Sequence, residues 1–177
     1  MGLDLSVRAF PGSDPLRDVA HARLTAAFVG ELGPGLVVRA EVPIGDTRDL
    51  RAWDLVLDDR SARVGVELET RLADAQAVVR RLNLKARDGA MPTVVLALAD
   101  TRSNRRAARA AEALLRTAFP LGSDAVLSAL RSGRVPPASG VVFIGSRAAN
   151  PDDSRGARAA DHAGLRAAGH SRGTEPS

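Results

Sequence analysis

The chain has 177 residues, of which 45% are hydrophobic and 26% charged, a composition typical of a folded globular domain. It has no run of about 18 apolar residues and no charged-then-apolar leader, so we expect a cytoplasmic protein without a membrane span. Cysteine is absent, which excludes disulfides, thiolate metal sites and Cys-His catalysis. The net charge of +4 is compatible with nucleic-acid binding but does not require it.

The first half of the chain predicts one helix followed by three strands. Ser13 or Asp14 can cap a helix whose first residue is Pro15. Apolar residues then recur at roughly helical spacing, and the helix ends before Gly33. Two turn-like stretches separate three extended segments, which cover residues 36–44, 51–57 and 63–70.

The second half predicts helices that alternate with strands. A helix with one apolar stripe covers about residues 71–87, and a continuous apolar run over residues 93–99 suits a buried strand. A third helix begins at Ser103 or Asn104 and continues to about Ala118. A short helix near residues 123–133 and a strand over residues 141–144 follow. The apolar pattern then disappears, and we expect a disordered tail over residues 146–177.

These elements predict a mixed sheet with helices on its faces. Three strands joined by short turns form an antiparallel meander, because a parallel pair needs a crossover of about a dozen residues or more. The second helix is such a crossover, so the fourth strand can lie parallel to the third. The expected fold class is α/β, or α+β by stricter usage, in a single globular domain over residues 1–145.

Carboxylates within strands are the chemically unusual feature of the sequence. A four-residue turn would pair Asp58 with Arg63. The same register puts Asp54 opposite Glu67, about 5 Å away, and side-chain alternation puts Glu69 on the same face. Like charges this close repel one another, and a bound Mg²⁺ would relieve the repulsion. The other interpretation leaves this face in solvent, with each acid paired to an arginine.

The order of a helix, a three-strand meander, a helix and a strand resembles the core of the PD-(D/E)XK nuclease superfamily, with Asp54 on the second strand and Glu67-x-Glu69 on the third. The resemblance covers roughly residues 14–99 and implies an αβββαβ restriction-endonuclease-like core. It implies that Asp54 and Glu67 hold Mg²⁺ or Mn²⁺, with Glu69 as a further acidic ligand or as the group that orients the attacking water. Glu69 stands where the family usually has lysine, although some restriction endonucleases of the superfamily carry Glu there.

The absence of that lysine raises the question of which residue assists the acids. A helix that starts near Arg71 and packs back over the sheet brings Gln76 to Arg80 level with them, at about 1.5 Å per residue. The only lysine, Lys85, would then lie several ångströms too far along. Gln76 is therefore the predicted supporting catalytic residue, and members of the superfamily often have a functional Gln or Lys on this helix. A boundary glutamine that touches only backbone is the equal alternative.

Arginines supply the predicted nucleic-acid contacts. Four of them recur at i, i+3, i+4 and i+7 on one face of the third helix, and Arg80 on the second helix is a further candidate for contacting phosphates. A solvated helix face is the alternative, since the chain has 24 arginines and one lysine. None of the three histidines is expected to be catalytic, including His21 on the first helix. The four arginines of the third helix are Arg102, Arg105, Arg106 and Arg109.

Two functions remain open on the sequence alone. The first is a divalent-metal-dependent nuclease that hydrolyses phosphodiester bonds, with Mg²⁺ or Mn²⁺ as cofactor and DNA as the expected nucleic acid. The second is a catalytically inactive member of the same fold that binds nucleic acid or a protein partner as a regulatory module. A fold resemblance changes the expectation only, because function follows from the site.

Overall fold

A computed structural model describes residues 15–45 and 49–145 of the chain. In that part, five helices pack against a five-stranded mixed sheet, which confirms the predicted mixture of helix and strand. The two helix-capping candidates before Pro15 and the predicted tail over residues 146–177 lie outside the described residues. The helices are α1 Pro15–Val29, α2 Ala75–Asp88, α3 Arg102–Ala110, α4 Glu112–Ala118 and α5 Ser123–Arg131. The strands are β1 Val37–Pro43, β2 Ala52–Asp58, β3 Arg63–Glu69, β4 Val94–Ala99 and β5 Gly140–Ile144.

The strands follow one another across the sheet in chain order, β1-β2-β3-β4-β5. The first three form the predicted antiparallel meander, and β4 lies parallel to both β3 and β5. Asp58 pairs with Arg63, as the turn composition predicts. Because α2 connects β3 to β4, it packs over the sheet beside the strand that carries Glu67. Among the described helices, none is long and apolar enough to cross a membrane.

Helices cover both faces of the sheet and so create two apolar cores. On one face, α1 and α5 pack through residues such as Phe28 and Leu130. On the other, α2 and α4 pack through residues such as Leu82 and Leu115. The inner strand β4 is almost completely buried, which explains why its sequence is a continuous apolar run instead of an alternating one.

Helix α2 starts at Ala75, four residues later than predicted. The side chain of Asp74 caps it by accepting a hydrogen bond from the backbone N–H of Ala77 at 3.0 Å. A carboxylate at this position satisfies an N–H that has no partner within the helix. The preceding segment from Arg71 is therefore a loop, and this shift moves every later residue of α2 relative to the strands.

The predicted third helix is two helices, with a break at Ala111. The cap is Thr101, whose hydroxyl accepts a hydrogen bond from the backbone N–H of Asn104 at 3.1 Å. The helix begins at Arg102, one residue before the first of the two predicted starts, Ser103 and Asn104.

The Asn104 amide connects three segments of backbone. Its Oδ1 accepts from the N–H of Leu72 at 2.9 Å. Its Nδ2 donates to the carbonyl of Thr70 at 3.1 Å and to that of Ala99 at 2.8 Å. The ends of β3 and β4 and the loop before α2 are thus held by one side chain.

Candidate functional site

Asp54 lies where β2 and β3 stop pairing through their backbones. The regular pairing ends at Leu55 and Val66, so the predicted direct pairing of Asp54 with Glu67, one position further along, is not part of the β2–β3 register. Beyond that point a side chain replaces the backbone acceptor: Asp54 Oδ2 accepts a hydrogen bond from the N–H of Leu68 at 2.7 Å. Strand N–H groups lie in the plane of the sheet, so the Asp54 carboxylate lies in the fork between the two strands.

The backbone on the other side of Asp54 is also irregular. Glu41 of β1 has a φ of 48°, in the left-handed region that residues other than glycine rarely adopt. The β1–β2 pairing is interrupted there, between Ala40 and Val42. Irregular pairing of this kind re-aims side chains and is concentrated near functional sites.

The carboxylate of Glu67 faces α2 and holds the only lysine of the chain. The ammonium of Lys85 lies 2.9 and 2.8 Å from the two oxygens of Glu67 and donates also to the carbonyl of Ala52 at 2.8 Å. Both side chains are buried, with exposed fractions of 8% for Lys85 and 9% for Glu67. The ammonium also lies 5.5 Å from the centre of the Trp53 ring, and that tryptophan belongs to the core.

The expectation that Lys85 lies too far along its helix is wrong. It followed from a helix starting near Arg71, whereas α2 starts at Ala75. At about 1.5 Å per residue, a start four residues later moves the level of the acids from the Gln76–Arg80 region to residues 80–84, directly before Lys85. A sequence signal existed, because Lys85 follows Val78 and Leu82 at i+7 and i+3 on the buried face of α2.

Burial and a neighbouring charge act together on Glu67. Removal from water raises the pKa of this carboxyl above its usual value, and the negative charge of Asp54 raises it further. The hydrogen bonds and charge of Lys85 oppose these effects, and Arg81 adds a weaker opposing charge. Asp54 is therefore close enough for its charge to act on the Glu67 carboxyl, although the nearest partners of the two acids come from different elements.

Glu69 is held by an arginine of α2. Arg81 Nη2 bonds the Glu69 carboxylate and lies 3.5 Å from Glu67 Oε1. The three predicted acids thus lie at one end of the sheet, but each has a partner of its own. Lys85 binds Glu67, Arg81 binds Glu69, and the backbone of Leu68 binds Asp54.

His21 of α1 approaches Asp54, which sequence analysis missed. Its Nε2 lies 4.0 Å from Asp54 Oδ1. His21 precedes Leu24 and Phe28 by three and seven residues, and both of those are buried against the sheet. This helical spacing is the signal that would have put His21 on the sheet side of α1.

Gln76 and Arg80 lie on another surface. They line an open groove of about 450 Å³ between α2 and α4, together with Leu114. Gln76 precedes Lys85 by nine residues, which is roughly 180° around a helix. The structure therefore does not bring the predicted supporting glutamine to the acids.

The arginine face of α3 is partly engaged. Arg105 forms two hydrogen bonds with Asp100, at 2.5 and 2.8 Å, and its guanidinium lies 4.7 Å from the centre of the Phe143 ring. The other three are exposed, and none has an ion pair with a described residue. They are Arg102, Arg106 and Arg109.

The donor set fits a divalent cation bound by two carboxylates. No group of three or more His, Cys, Asp or Glu that could hold a metal occurs within residues 15–45 and 49–145. Mg²⁺ is commonly bound by one or two carboxylates, with water and substrate phosphate completing its shell. Asp54 and Glu67 supply such a pair, and the ammonium between the Glu67 oxygens occupies a place where positive charge is stabilised. A cation bound by Glu67 would share the carboxylate with Lys85 or take one of its two oxygens from the ammonium.

Comparisons of the chain with protein-family models, curated proteins and solved structures found no match.

Proposed function

We propose that this protein is a divalent-metal-dependent nuclease with a restriction-endonuclease-like core, in which Asp54 and Glu67 hold Mg²⁺ or Mn²⁺. The observation that carries the proposal is the position of Lys85: the only lysine is buried on Glu67, beside Asp54. A buried ion pair contributes little to stability compared with well-packed apolar groups. A buried cluster of ionisable groups at an irregular part of the backbone is, by contrast, typical of functional sites. The order α1-β1-β2-β3-α2-β4 supports the same conclusion.

In this proposal Lys85 orients the attacking water, which is the role of the strand lysine in the PD-(D/E)XK superfamily. An ammonium has three N–H donors, and the two oxygens of Glu67 and the carbonyl of Ala52 engage all three. When one Glu67 oxygen turns to a cation, one donor of Lys85 becomes available for a water or a phosphate oxygen. The cation itself polarises the phosphoryl group and lowers the pKa of bound water. The hydrogen bond from the Leu68 N–H holds the carboxylate of Asp54 in position.

A second function is favoured by a different observation. Each acid of the site already has a partner, so Lys85 and Glu67 can serve as a purely structural pair. The protein would then be a catalytically inactive binding module of the same fold. The unpaired arginines of α3 would supply its phosphate contacts.

A cleavage assay separates the two functions. We expect the purified chain to cut plasmid DNA or labelled DNA or RNA oligonucleotides with Mg²⁺ or Mn²⁺ and not with EDTA. Asp54→Asn and Lys85→Met should each lower the rate by about 100-fold or more. The matched control is Glu31→Gln, which removes an acid paired with Arg131 at 2.7 Å and should cut normally. Absence of cleavage, or cleavage that survives Asp54→Asn, would leave the binding module.

A further inference from the structure

Two ion pairs lie side by side at the site, and they differ in their access to water. The inner pair, Lys85 and Glu67, has exposed fractions of 8% and 9%. The outer pair, Arg81 and Glu69, has exposed fractions of 42% and 18%. Because water screens an exposed pair and replaces its contacts, such a pair contributes little to stability and exchanges partners easily. The outer pair can therefore open while the inner pair stays closed.

Arg81 has free capacity for binding an anion. A guanidinium carries five N–H donors in a planar fork that matches the oxygens of a carboxylate or a phosphate. Of the three guanidinium nitrogens of Arg81, Nη2 alone donates to a described residue. It bonds Glu69 and, at the longer distance of 3.5 Å, Glu67. The remaining donors have no acceptor among residues 15–45 and 49–145, and the side chain is 42% exposed.

The local charge opposes an anion as long as Glu69 is present. Three acids, Asp54, Glu67 and Glu69, are matched by only two cations, Lys85 and Arg81. An approaching phosphate therefore meets a site with a formal charge of about −1 when His21 is neutral. Glu69 also holds Arg81, which is the exposed one of these two cations.

We infer that Arg81 binds a phosphodiester group of nucleic acid beside the Asp54–Glu67 site, and that Glu69 competes with the phosphate for Arg81. This inference rests on the proposed nuclease function. It assigns Glu69 a positioning role through Arg81, in place of the water-orienting or metal-binding role that the sequence implies. The phosphate displaces the Glu69 carboxylate, so that Arg81 is released only when substrate is present.

The test is binding of a short fluorescein-labelled DNA duplex in EDTA, measured by anisotropy over about 50 to 200 mM salt. Glu69→Gln keeps the shape of the side chain and removes the competing charge. It should bind more tightly than the wild type by about threefold at the low-salt end. The slope of its log–log salt dependence should match that of the wild type, because Arg81 contacts the same phosphate in both complexes.

Two further variants show whether Arg81 is responsible. Glu69→Gln combined with Arg81→Gln should lose the gain, whereas Glu69→Gln combined with Arg81→Lys should keep a part of it because the charge remains. Glu31→Gln is the matched control, because it also frees an arginine, Arg131, from an ion pair at 2.7 Å. Arg131 ends α5, which packs on the other face of the sheet from α2. Melting curves establish that each variant is folded.

An equal gain in Glu31→Gln would overturn the inference, since net charge alone would then explain it. A gain that survives Arg81→Gln would overturn it as well. Because binding is measured without metal, the outcome is independent of cleavage. The expected gain without any cleavage in Mg²⁺ or Mn²⁺ removes the nuclease and leaves Arg81 as a phosphate-binding residue. Cleavage without the gain removes only the role of Arg81.

Discussion

Lys85 is held by three acceptors in a place that water barely reaches. Its ammonium donates to both oxygens of Glu67 and to the carbonyl of Ala52. Breaking a buried pair by removing one partner leaves an uncompensated charge, and this costs more than the pair contributes. A substitution of Lys85 or Glu67 alone should therefore lower the free energy of unfolding much more than a replacement of both.

We therefore expect Lys85→Met to lower the free energy of unfolding by about 3–5 kcal/mol, measured by urea denaturation at neutral pH. Adding Glu67→Gln should restore most of the loss, since no buried charge remains. If Lys85→Met alone were as stable as the wild type, the pair would not be closed in solution.

Asp59 is an acid whose function is to hold a turn. Its carboxylate accepts hydrogen bonds from the backbone N–H groups of Ser61, Ala62 and Val135. These bonds and the Ser61 hydroxyl hold the pKa of Asp59 well below its usual value. A lowered pKa contributes stability that is present above the unfolded value, about 3.9, and is lost as the pH falls toward the folded value.

Asp59→Asn should consequently flatten the acid side of the stability profile. We expect the melting temperature of the wild type to fall more steeply than that of the variant between about pH 4 and pH 2. Melting curves across this range test it. Parallel profiles for the two proteins would mean that Asp59 does not accept these bonds.

At the scale of elements, the β2–β3 pair depends on a glycine opposite a large ring. A Cβ at Gly65 would lie 2.7–2.9 Å from ring carbons of Trp53, which is fully buried and cannot move aside. Gly65→Ala should therefore cost about 1–3 kcal/mol through overpacking, measured by denaturant unfolding. Gly145→Ala is the control, because nothing lies within 4 Å of its added Cβ. Equal stability of the two variants would contradict the close packing.

The start of α2 depends on Asn104, which lies on another helix. Asn104→Ala leaves the N–H of Leu72 and the carbonyl of Thr70 without their partner, whereas the carbonyl of Ala99 still accepts from the N–H of Thr101 at 2.9 Å. We expect a loss of about 2 kcal/mol or more. Hydrogen exchange at the Leu72 amide should accelerate beyond what this global loss explains. Asn104→Asp keeps the acceptor but cannot donate, so it should also be destabilised. A stable Asn104→Asp protein would exclude the two carbonyl contacts.

Local rules predicted the elements well and the position of Lys85 badly, for a physical reason. The turn that joins β2 to β3 is encoded within a few residues. The first residue of α2 is decided by the Asp74 cap and by the contact of Leu72 with Asn104, 32 residues away. Periodicity alone extends the helix into that loop, and the error of four residues carries through to the site.

At the scale of the whole molecule, the arrangement of the first four strands was predictable because short turns and one crossover helix leave few possibilities. The position of β5 beside β4 was not predicted. The assignment of Asp54 to β2 and of Glu67 and Glu69 to β3 was predicted from the same pattern of strands and turns. The fork between β2 and β3 was not predictable, since there the Asp54 side chain replaces a backbone acceptor. The partners of the acids on α2 also depend on how that helix packs, which no local pattern contains.

The central claim is that Asp54 and Glu67 hold a divalent cation in competition with the ammonium of Lys85. Titration with Mn²⁺, followed by calorimetry and by the melting temperature, tests it directly. We expect the wild type to bind Mn²⁺ and to melt at a higher temperature by mass action, and Asp54→Asn to lose both effects. Lys85→Met, freed of the competing ammonium, should bind more tightly and gain more in melting temperature. Absence of Mn²⁺ binding at millimolar concentration, or binding that Asp54→Asn leaves unchanged, would contradict the claim.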